Sequence, residues 1–219
     1  MTTNLPTMHQ DDNAKEGRAD NILETIFASF LPTMYQYDNV KEWCAVDIAE
    51  AILATLPGIE TAYDLGCGSG VYVQAFSDAG IDITGFDDNS EKIKQISGCH
   101  DNIIWFDVGK TLALKPVDLI FSIEVAEHID PSDLDMFIGN IVRFANKWIV
   151  FTGSDKPNSP GHINPQPNEY WRERITERGK HKYREGLSQT LMESCKSIIG
   201  RASCLRWFQE NLQVFERII

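Results

Sequence analysis

The chain has 219 residues, of which 42% are hydrophobic and 10% aromatic. That content is enough to bury a core, so it excludes wholesale disorder. Its 20 lysines and arginines face 32 aspartates and glutamates, for a formal net charge of −12, which disfavours binding to nucleic acid. No apolar run is long enough to cross a membrane, and the first residues lack the pattern of a signal peptide, so we expect a cytoplasmic protein.

The apolar periodicity predicts strands and helices that alternate along the chain. We expect an acidic, disordered tail over 1–20 and a single domain over 21–219, made of a helical cap (21–57) and an α/β core (58–219). The predicted strands cover 61–65, 81–86, 102–106, 117–123, 148–151 and 212–218. The predicted helices cover 22–31, 40–56, 70–79, 89–97, 130–145, 167–179 and 187–199. Alternation of this kind predicts a doubly wound parallel sheet.

A glycine-rich segment, Asp64-Leu65-Gly66-Cys67-Gly68-Ser69-Gly70, follows the first predicted strand. Glycines allow a sharp turn and let a ligand approach the backbone. The next helix offers its N-terminal N–H groups to a polar ligand. The spacing is G-x-G-x-G, whereas dinucleotide-binding dehydrogenases carry G-x-G-x-x-G, so a dehydrogenase is disfavoured.

Acidic residues end the next two predicted strands. Asp87 lies 21 residues after Gly66, and a carboxylate at this place can accept both hydroxyls of a ribose. Asp107 ends the third strand. Because ligands of open α/β sheets bind at the carboxyl ends of the strands, these groups predict a ligand site at one sheet edge.

From about Trp43 to its C-terminus, the chain resembles the class I S-adenosylmethionine-dependent methyltransferases. The resemblance implies a Rossmann-like, doubly wound, seven-stranded, mostly parallel sheet with an antiparallel last strand. It also implies which residues bind S-adenosylmethionine. The methionine part would contact Asp64, Gly66, Cys67, Gly68 and Gly70. The ribose would contact Asp87, with Asp88 beside it, and the adenine would contact Asp107 and Val108. The methyl-donor end would contact Ile123 and Glu124.

The segment Ile123–Ile129 resembles the E-V-x-E-H-I signature of the family's small-molecule subgroup. On a helical turn, Glu124, Glu127 and His128 would share one face and could bind a divalent cation. A similar arrangement, with a further distant histidine, ligates metal in the small-RNA 2′-O-methyltransferases, and His162 would be that histidine here. The alternative is that Glu124 lines the cofactor pocket and His128 is a structural or general-base histidine. We expect no metal; these four residues would be its ligands if one binds.

A second segment, Ser159–Trp171, follows the fifth predicted strand and is rich in polar and aromatic side chains. It resembles a G-H-x-N-x-Q-P-x-E-Y-W element of methyltransferases that accompany saccharide and natural-product pathways. We expect the loop from Gly153 to Tyr170 to form an acceptor-side wall. His162 would point toward the cofactor sulfur, with Tyr170 or Trp171 offering a ring to the acceptor. The alternative is a proline-stiffened connection into the following helix.

Basic residues concentrate after this loop, at Arg172, Arg174, Arg178, Lys180, Lys182 and Arg184. One interpretation is a solvent-exposed helix face on which these residues are interspersed with Glu173 and Glu177. The other is a patch at the cleft mouth that docks an anionic acceptor.

Together these patterns predict an S-adenosylmethionine-dependent methyltransferase that acts on a hydroxyl of a small or saccharide-like molecule. His128 and His162 are the candidate bases, because imidazole titrates near neutral pH. The alternatives are a metal-dependent enzyme like the RNA 2′-O-methyltransferases, which the acidic composition disfavours, and a non-catalytic S-adenosylmethionine-binding protein.

Overall fold

A computed structural model of the chain describes residues 44–88, 102–196 and 206–218. All of these residues belong to one compact unit, Val40–Ile219. The predicted tail over 1–20 and the predicted helices over 22–31 and 89–97 lie outside the described residues. Across the described ranges, no helix has the length and apolar character needed to span a bilayer.

In the described part of the chain, seven strands form one sheet. In chain order they are β1 Thr61–Leu65, β2 Asp82–Asp87, β3 Ile103–Trp105, β4 Val117–Ser122, β5 Ala145–Phe151, β6 His181–Tyr183 and β7 Gln213–Arg217. Their spatial order is β3-β2-β1-β4-β5-β7-β6. The first five strands are parallel, whereas β7 is antiparallel to both β5 and β6. The predicted doubly wound sheet and its antiparallel last strand are confirmed.

Helices connect and cover these strands. They are α1 (44–55, the described part), α2 Val71–Asp78, α3 Leu134–Phe144, α4 Asn168–Thr176, α5 Glu185–Ser194 and α6 Arg206–Asn211. A short 3₁₀ helix, Ala126–His128, follows β4. Helix α3 begins at Leu134, four residues after the predicted start at residue 130. Asp130 instead closes a separate turn, because its Oδ1 accepts the main-chain N–H of Ser132 at 2.8 Å.

Alternate residues of the central strands supply two hydrophobic cores, one on each sheet face. In β4, Leu119 and Phe121 belong to the first core and Ile120 to the second. Ile48 and Ile52 of α1 are fully buried in the first core. The described part of the 21–57 segment therefore packs against the sheet, and the assignment of the whole segment as a cap stays a prediction.

His181, in the edge strand β6, is a buried histidine with an unusual environment. It is 2% exposed. Burial, followed by the charge of Arg217, lowers its pKa to about 4, while the main-chain carbonyl of Ala145 opposes the shift. The folded protein therefore holds this imidazole neutral.

We expect His181 to make the folded state less stable in acid. The unfolded imidazole binds a proton near its ordinary pKa of 6.5, and the folded one only near 4, so stability is complete above pH 6.5 and falls as the pH drops toward 4. The expected loss between pH 7 and pH 5 is about 2 kcal/mol. Urea unfolding of the wild type and of His181→Phe at both pH values measures it. Equal pH dependence of the two proteins would contradict the assignment.

Candidate functional site

The segment after β1 forms a tight glycine turn. Gly66, Gly68 and Gly70 all adopt positive φ angles, of 85°, 52° and 82°. The N–H groups of Gly66 and Cys67 both donate to the carbonyl of Phe86, at 2.8 and 3.1 Å. This left-handed backbone is the reason for the glycines, since other residues adopt it at a cost. The turn is thereby tied to the carboxyl end of β2.

Two carboxylates flank the turn. The Gly68 N–H donates to Asp87 Oδ2 at 2.9 Å, and no atom lies within 4 Å of the place a Cβ would occupy on Gly68. Asp64 is 2% exposed, and its Oδ2 has no hydrogen-bond partner among the described residues. Burial raises the pKa of Asp64 well above its ordinary value, and the charge of Asp87 adds to the effect. An open backbone surface at Gly68, beside the Asp87 carboxylate and the unpartnered Oδ2 of Asp64, fits the hydroxyl and ammonium donors of S-adenosylmethionine.

The other expected cofactor residues lie around this turn with different surroundings. The Cys67 side chain is buried in the first core, so it contributes to packing. Asp107 accepts the Gly109 N–H at 2.9 Å, and Val108 is buried in the second core. Asp88 is exposed. Their roles toward the ribose and adenine stay predictions.

Glu124, just after β4, has a left-handed backbone with φ of 55°, which is uncommon for a residue other than glycine. Two groups hold it there. Its N–H donates to Thr152 Oγ1 at 2.8 Å, and its Oε1 accepts Asn211 Nδ2 at 3.1 Å. Neither partner was predicted from the sequence, because Thr152 follows β5 and Asn211 precedes β7. The antiparallel pairing of Phe151 with Gln213 brings both to this sheet edge.

Glu127, His128 and His162 come together beside Glu124, and we call them the Glu–His–His cluster. One ligand atom from each of the three lies within 4.8 Å of the others. His162 Nε2 is 3.9 Å from Glu127 Oε1, and the two imidazole centroids are 4.8 Å apart. Of the four residues singled out as possible metal ligands, the structure thus gathers three, with Glu124 as their neighbour.

The cluster combines a buried acid with two imidazoles. Glu127 is 0% exposed, and burial, followed by the charge of Glu124, raises its pKa to about 8, although nearby main-chain N–H groups oppose the shift. Burial and the neighbouring His128 lower the pKa of His162. His128 Nδ1 lies 2.9 Å from the carbonyl oxygen of Gly161. Because a carbonyl only accepts, Nδ1 carries the proton there, and the lone pair of the neutral ring is on Nε2.

The loop after β5 is fixed across the 3₁₀ helix by main-chain hydrogen bonds. The N–H groups of Ile163 and Asn164 donate to the carbonyl of Glu127 at 3.0 and 2.9 Å, and the Gln166 N–H donates to the carbonyl of Ser154 at 3.0 Å. These bonds hold His162 over Glu127, at the carboxyl edge of β4 and β5.

The expectation that Trp171 offers its ring to an acceptor is wrong. Trp171 is 0% exposed, and its indole N–H donates to the carbonyl of Gln166 at 3.0 Å. A Cβ on Gly153 would lie 2.7 Å from Trp171 Nε1, so the indole packs directly on the backbone at the loop's start. Trp171 therefore anchors the loop to the second core, and only Tyr170, which is half-buried, keeps the proposed role.

Three arginines of the basic stretch after the loop are paired with the chain's own acids. Arg174 and Arg178 both bind Asp135 of α3, at 2.9 and 3.1 Å, and Arg184 binds Glu216 of β7 at 3.3 Å. The expected pairing with Glu173 and Glu177 is wrong for these three ion pairs, because their acidic partners lie on α3 and β7. The arrangement favours a solvated, self-paired surface over a dock for an anionic acceptor.

Residues 63–147 match a family described as a methyltransferase domain. This range contains the glycine turn, Asp87, Glu127 and His128, whereas His162 lies beyond it. A comparison with curated protein sequences gives no significant match.

The solved structures to which the chain is similar include three methyltransferases. A SAM-dependent methyltransferase from Archaeoglobus fulgidus shares 18% identity at a TM-score of 0.57, over 81% of this chain and 94% of that chain. The plantazolicin methyltransferase BpumL, in complex with a triazolic desmethylPZN analog and SAH, shares 14% identity at a TM-score of 0.59, over 84% and 88%. The magnesium protoporphyrin IX methyltransferase (ChlM) from Synechocystis PCC 6803, with bound SAH, shares 14% identity at a TM-score of 0.53, over 82% and 84%. These similarities establish the fold.

Proposed function

We propose that this chain, an S-adenosylmethionine-dependent methyltransferase, methylates a hydroxyl oxygen of a small-molecule acceptor. The observation that carries the acceptor chemistry is the Glu–His–His cluster at the carboxyl edge of the sheet. A Cβ on Gly66 would lie 2.3 Å from Val125 Cγ2, so the glycine turn packs directly on the segment that bears Glu124 and Glu127. The groups that hold the cofactor and the groups that hold the acceptor are therefore neighbours.

The cofactor half of the site uses the glycine turn and its carboxylates. The Gly68 N–H orients one carboxylate oxygen of Asp87, and we assign this carboxylate to the ribose hydroxyls. Asp64, buried beside the turn, supplies an acceptor for the ammonium of the methionine part. Glu124, held by Thr152 and Asn211, borders the methyl-donor end. When bound, S-adenosylmethionine supplies a sulfonium methyl group.

The acceptor half uses the imidazoles. A hydroxyl is a weak nucleophile until it loses its proton, and a base within hydrogen-bond reach removes it as the new bond forms. We assign this role to His162, with His128 as the second candidate. Burial and His128 keep His162 neutral by lowering its pKa, so it has a lone pair available at neutral pH. The fixed loop positions this ring, and a transfer of this kind depends mainly on positioning.

The acceptor is a neutral, polar molecule. Asn164 and Gln166 lie in the same loop as His162 and bind each other through Gln166 Nε2 and Asn164 Oδ1 at 3.2 Å. Exposed Ile163, between His162 and Asn164 in the sequence, adds an apolar surface. Three arginines that follow, Arg174, Arg178 and Arg184, are paired with Asp135 and Glu216, which disfavours an anionic acceptor. A hydroxylated compound of the saccharide or natural-product class suits this mixture of groups.

The cofactor assignment is tested by calorimetry with S-adenosylhomocysteine. We expect Asp87→Ala to weaken binding by about 2 kcal/mol, roughly 30-fold, since a hydrogen bond to a charged group contributes about 1.5–3 kcal/mol. Asp82→Ala is the matched control, because Asp82 is exposed at the opposite end of the same strand, and it should leave affinity unchanged. Tight binding of NADH without any response to S-adenosylhomocysteine would contradict the assignment.

The hydroxyl assignment is tested by incubating the chain with methyl-labelled S-adenosylmethionine and sets of hydroxyl, amine and thiol compounds. Label recovered in methyl ethers supports the proposal. Label recovered only on nitrogen or sulfur would overturn it while leaving the cofactor assignment in place.

A further inference from the structure

The end of α6 and the start of β7, residues 210–213, contact both halves of the site, and we call them the clamp segment. On the cofactor half, Asn211 Nδ2 donates to Glu124 Oε1 at 3.1 Å. Asn211 is buried, and a buried amide is costly unless it is hydrogen-bonded. Because its partner is a carboxylate, the bond is charge-assisted and stronger than one between neutral groups. The clamp segment therefore holds the Glu124 side chain.

The clamp segment also holds the loop Gly153–Tyr170, which we call the acceptor loop. Glu210 Oε2 binds Lys156 Nζ at 2.9 Å, and the Glu210 carbonyl accepts Asn168 Nδ2 at 2.8 Å. Gln213, which is fully buried, donates from Nε2 to the carbonyl and to Oδ1 of Asn168 at 3.2 and 3.3 Å. Because the ion pair of Glu210 with Lys156 is exposed, it contributes little. The bonds at Asn168 therefore carry most of this link.

Glu124 depends on such support because its backbone is strained. Its φ of 55° lies in the left-handed region, which costs free energy for a residue with a Cβ and persists only where surrounding contacts fix it. The Thr152 hydroxyl accepts the Glu124 N–H, and the Asn211 amide donates to the Glu124 carboxylate. An amide donor fixes the carboxylate without neutralising its charge. Both ends of this strained residue are thus held by uncharged groups.

We propose that Asn211 is a positioning residue that fixes the Glu124 carboxylate at the cofactor site and, through the clamp segment, couples it to the acceptor loop. The proposal rests on the proposed function, which places Glu124 at the methyl-donor end of the cofactor. A cofactor bound against Glu124 restricts its carboxylate, and the clamp segment passes that restriction on to Asn168. Because such coupling is reciprocal, an acceptor that orders the loop strengthens the binding of the cofactor.

Hydrogen exchange of the full chain, followed by NMR, tests the contact with Glu124. Without ligand, we expect the Glu124 N–H to exchange at least ~10-fold faster in Asn211→Asp than in the wild type, because aspartate keeps the shape of asparagine but loses the donor. The double variant Glu124→Gln/Asn211→Asp again places a donor opposite an acceptor, so it should recover slow exchange. Asn146→Asp is the matched control, because Asn146 is exposed near the amino end of β5, and its Glu124 N–H should exchange as in the wild type.

S-adenosylhomocysteine then tests the coupling to the acceptor loop. In the wild type it should slow exchange of the Gln166 N–H, which donates to the carbonyl of Ser154 within the loop. Asn168→Ala cuts the link between the clamp segment and the loop, so it should remove this slowing and leave exchange of the Glu124 N–H unchanged. Asn211→Asp should remove the slowing as well.

Equal exchange of the Glu124 N–H in the wild type and Asn211→Asp, or no recovery in the double variant, would overturn the positioning role. The coupling would be overturned if S-adenosylhomocysteine failed to slow exchange at Gln166 in the wild type, or still slowed it in Asn168→Ala. Asn168 is only half-buried, so its variant keeps the test valid if Asn211→Asp does not fold. No acceptor enters these measurements, so methyl label recovered only on nitrogen or sulfur would refute the proposed function and leave the role of Asn211 standing.

Discussion

Replacing His162 with alanine is expected to lower the rate of methyl transfer by ~10²–10⁴-fold, the usual contribution of a positioned base. His162 Nε2 lies 3.9 Å from the buried Glu127 carboxylate, and its ring is 4.8 Å from that of His128. The substitution removes the imidazole from the acceptor side and leaves the glycine turn and Asp87 unchanged. Affinity for S-adenosylhomocysteine should therefore stay the same. Single-turnover transfer of labelled methyl, together with calorimetry, measures both quantities.

Asn158→Ala is the matched control for this substitution. Asn158 is exposed in the same loop, so its variant should retain wild-type turnover and show that loop replacement alone is harmless. Normal turnover in His162→Ala would move the base assignment to His128 and leave the loop as a connection. Loss of cofactor affinity in the same variant would show that His162 supports the cofactor pocket instead.

The parts of the fold that the sequence predicted well are those where one continuous segment holds the information. Strand β4 can be predicted from its own apolar residues, and the predicted strand 117–123 differs from Val117–Ser122 by one residue. The glycine turn is likewise contiguous, so the sharp turn at its glycines and the position of Asp87 at the end of β2 could be predicted from spacing. Both features follow from local rules of backbone geometry and burial.

The features that the sequence did not predict depend on contacts between distant segments. Strand β6 has only three residues, two of them ordinarily polar, and it forms because β7 offers an unpaired edge. Thr152 and Asn211 support Glu124 across 28 and 87 positions of the chain. Trp171 was misassigned for the same reason, since its cavity beside Gly153 exists only once the sheet has formed. A pattern within one segment carries no information on such partners.

Replacing Gly66 with alanine is expected to destabilise the fold by about 2–5 kcal/mol and to abolish measurable binding of S-adenosylhomocysteine. Two costs add. A φ of 85° costs a residue with a Cβ about 1–2 kcal/mol, and a Cβ at this place would lie 2.3 Å from Val125 Cγ2, an overpacking that typically costs about 1–3 kcal/mol. Relief of the clash must move either the turn or the segment after β4. Urea unfolding and calorimetry measure the two effects.

Gly80→Ala separates these costs, because Gly80 has nearly the same φ, 86°, with no atom within 4 Å of a Cβ. This variant should lose only the stability that backbone strain costs, about 1–2 kcal/mol, and it should bind S-adenosylhomocysteine normally. Removing the γ carbons of Val125 in the double variant Gly66→Ala/Val125→Ala should restore part of the stability that Gly66→Ala loses. Equal losses in Gly66→Ala and Gly80→Ala, with no recovery in the double variant, would show that backbone strain alone dictates glycine at position 66. The contact between the turn and Val125 would then contribute nothing to joining the cofactor and acceptor halves of the site.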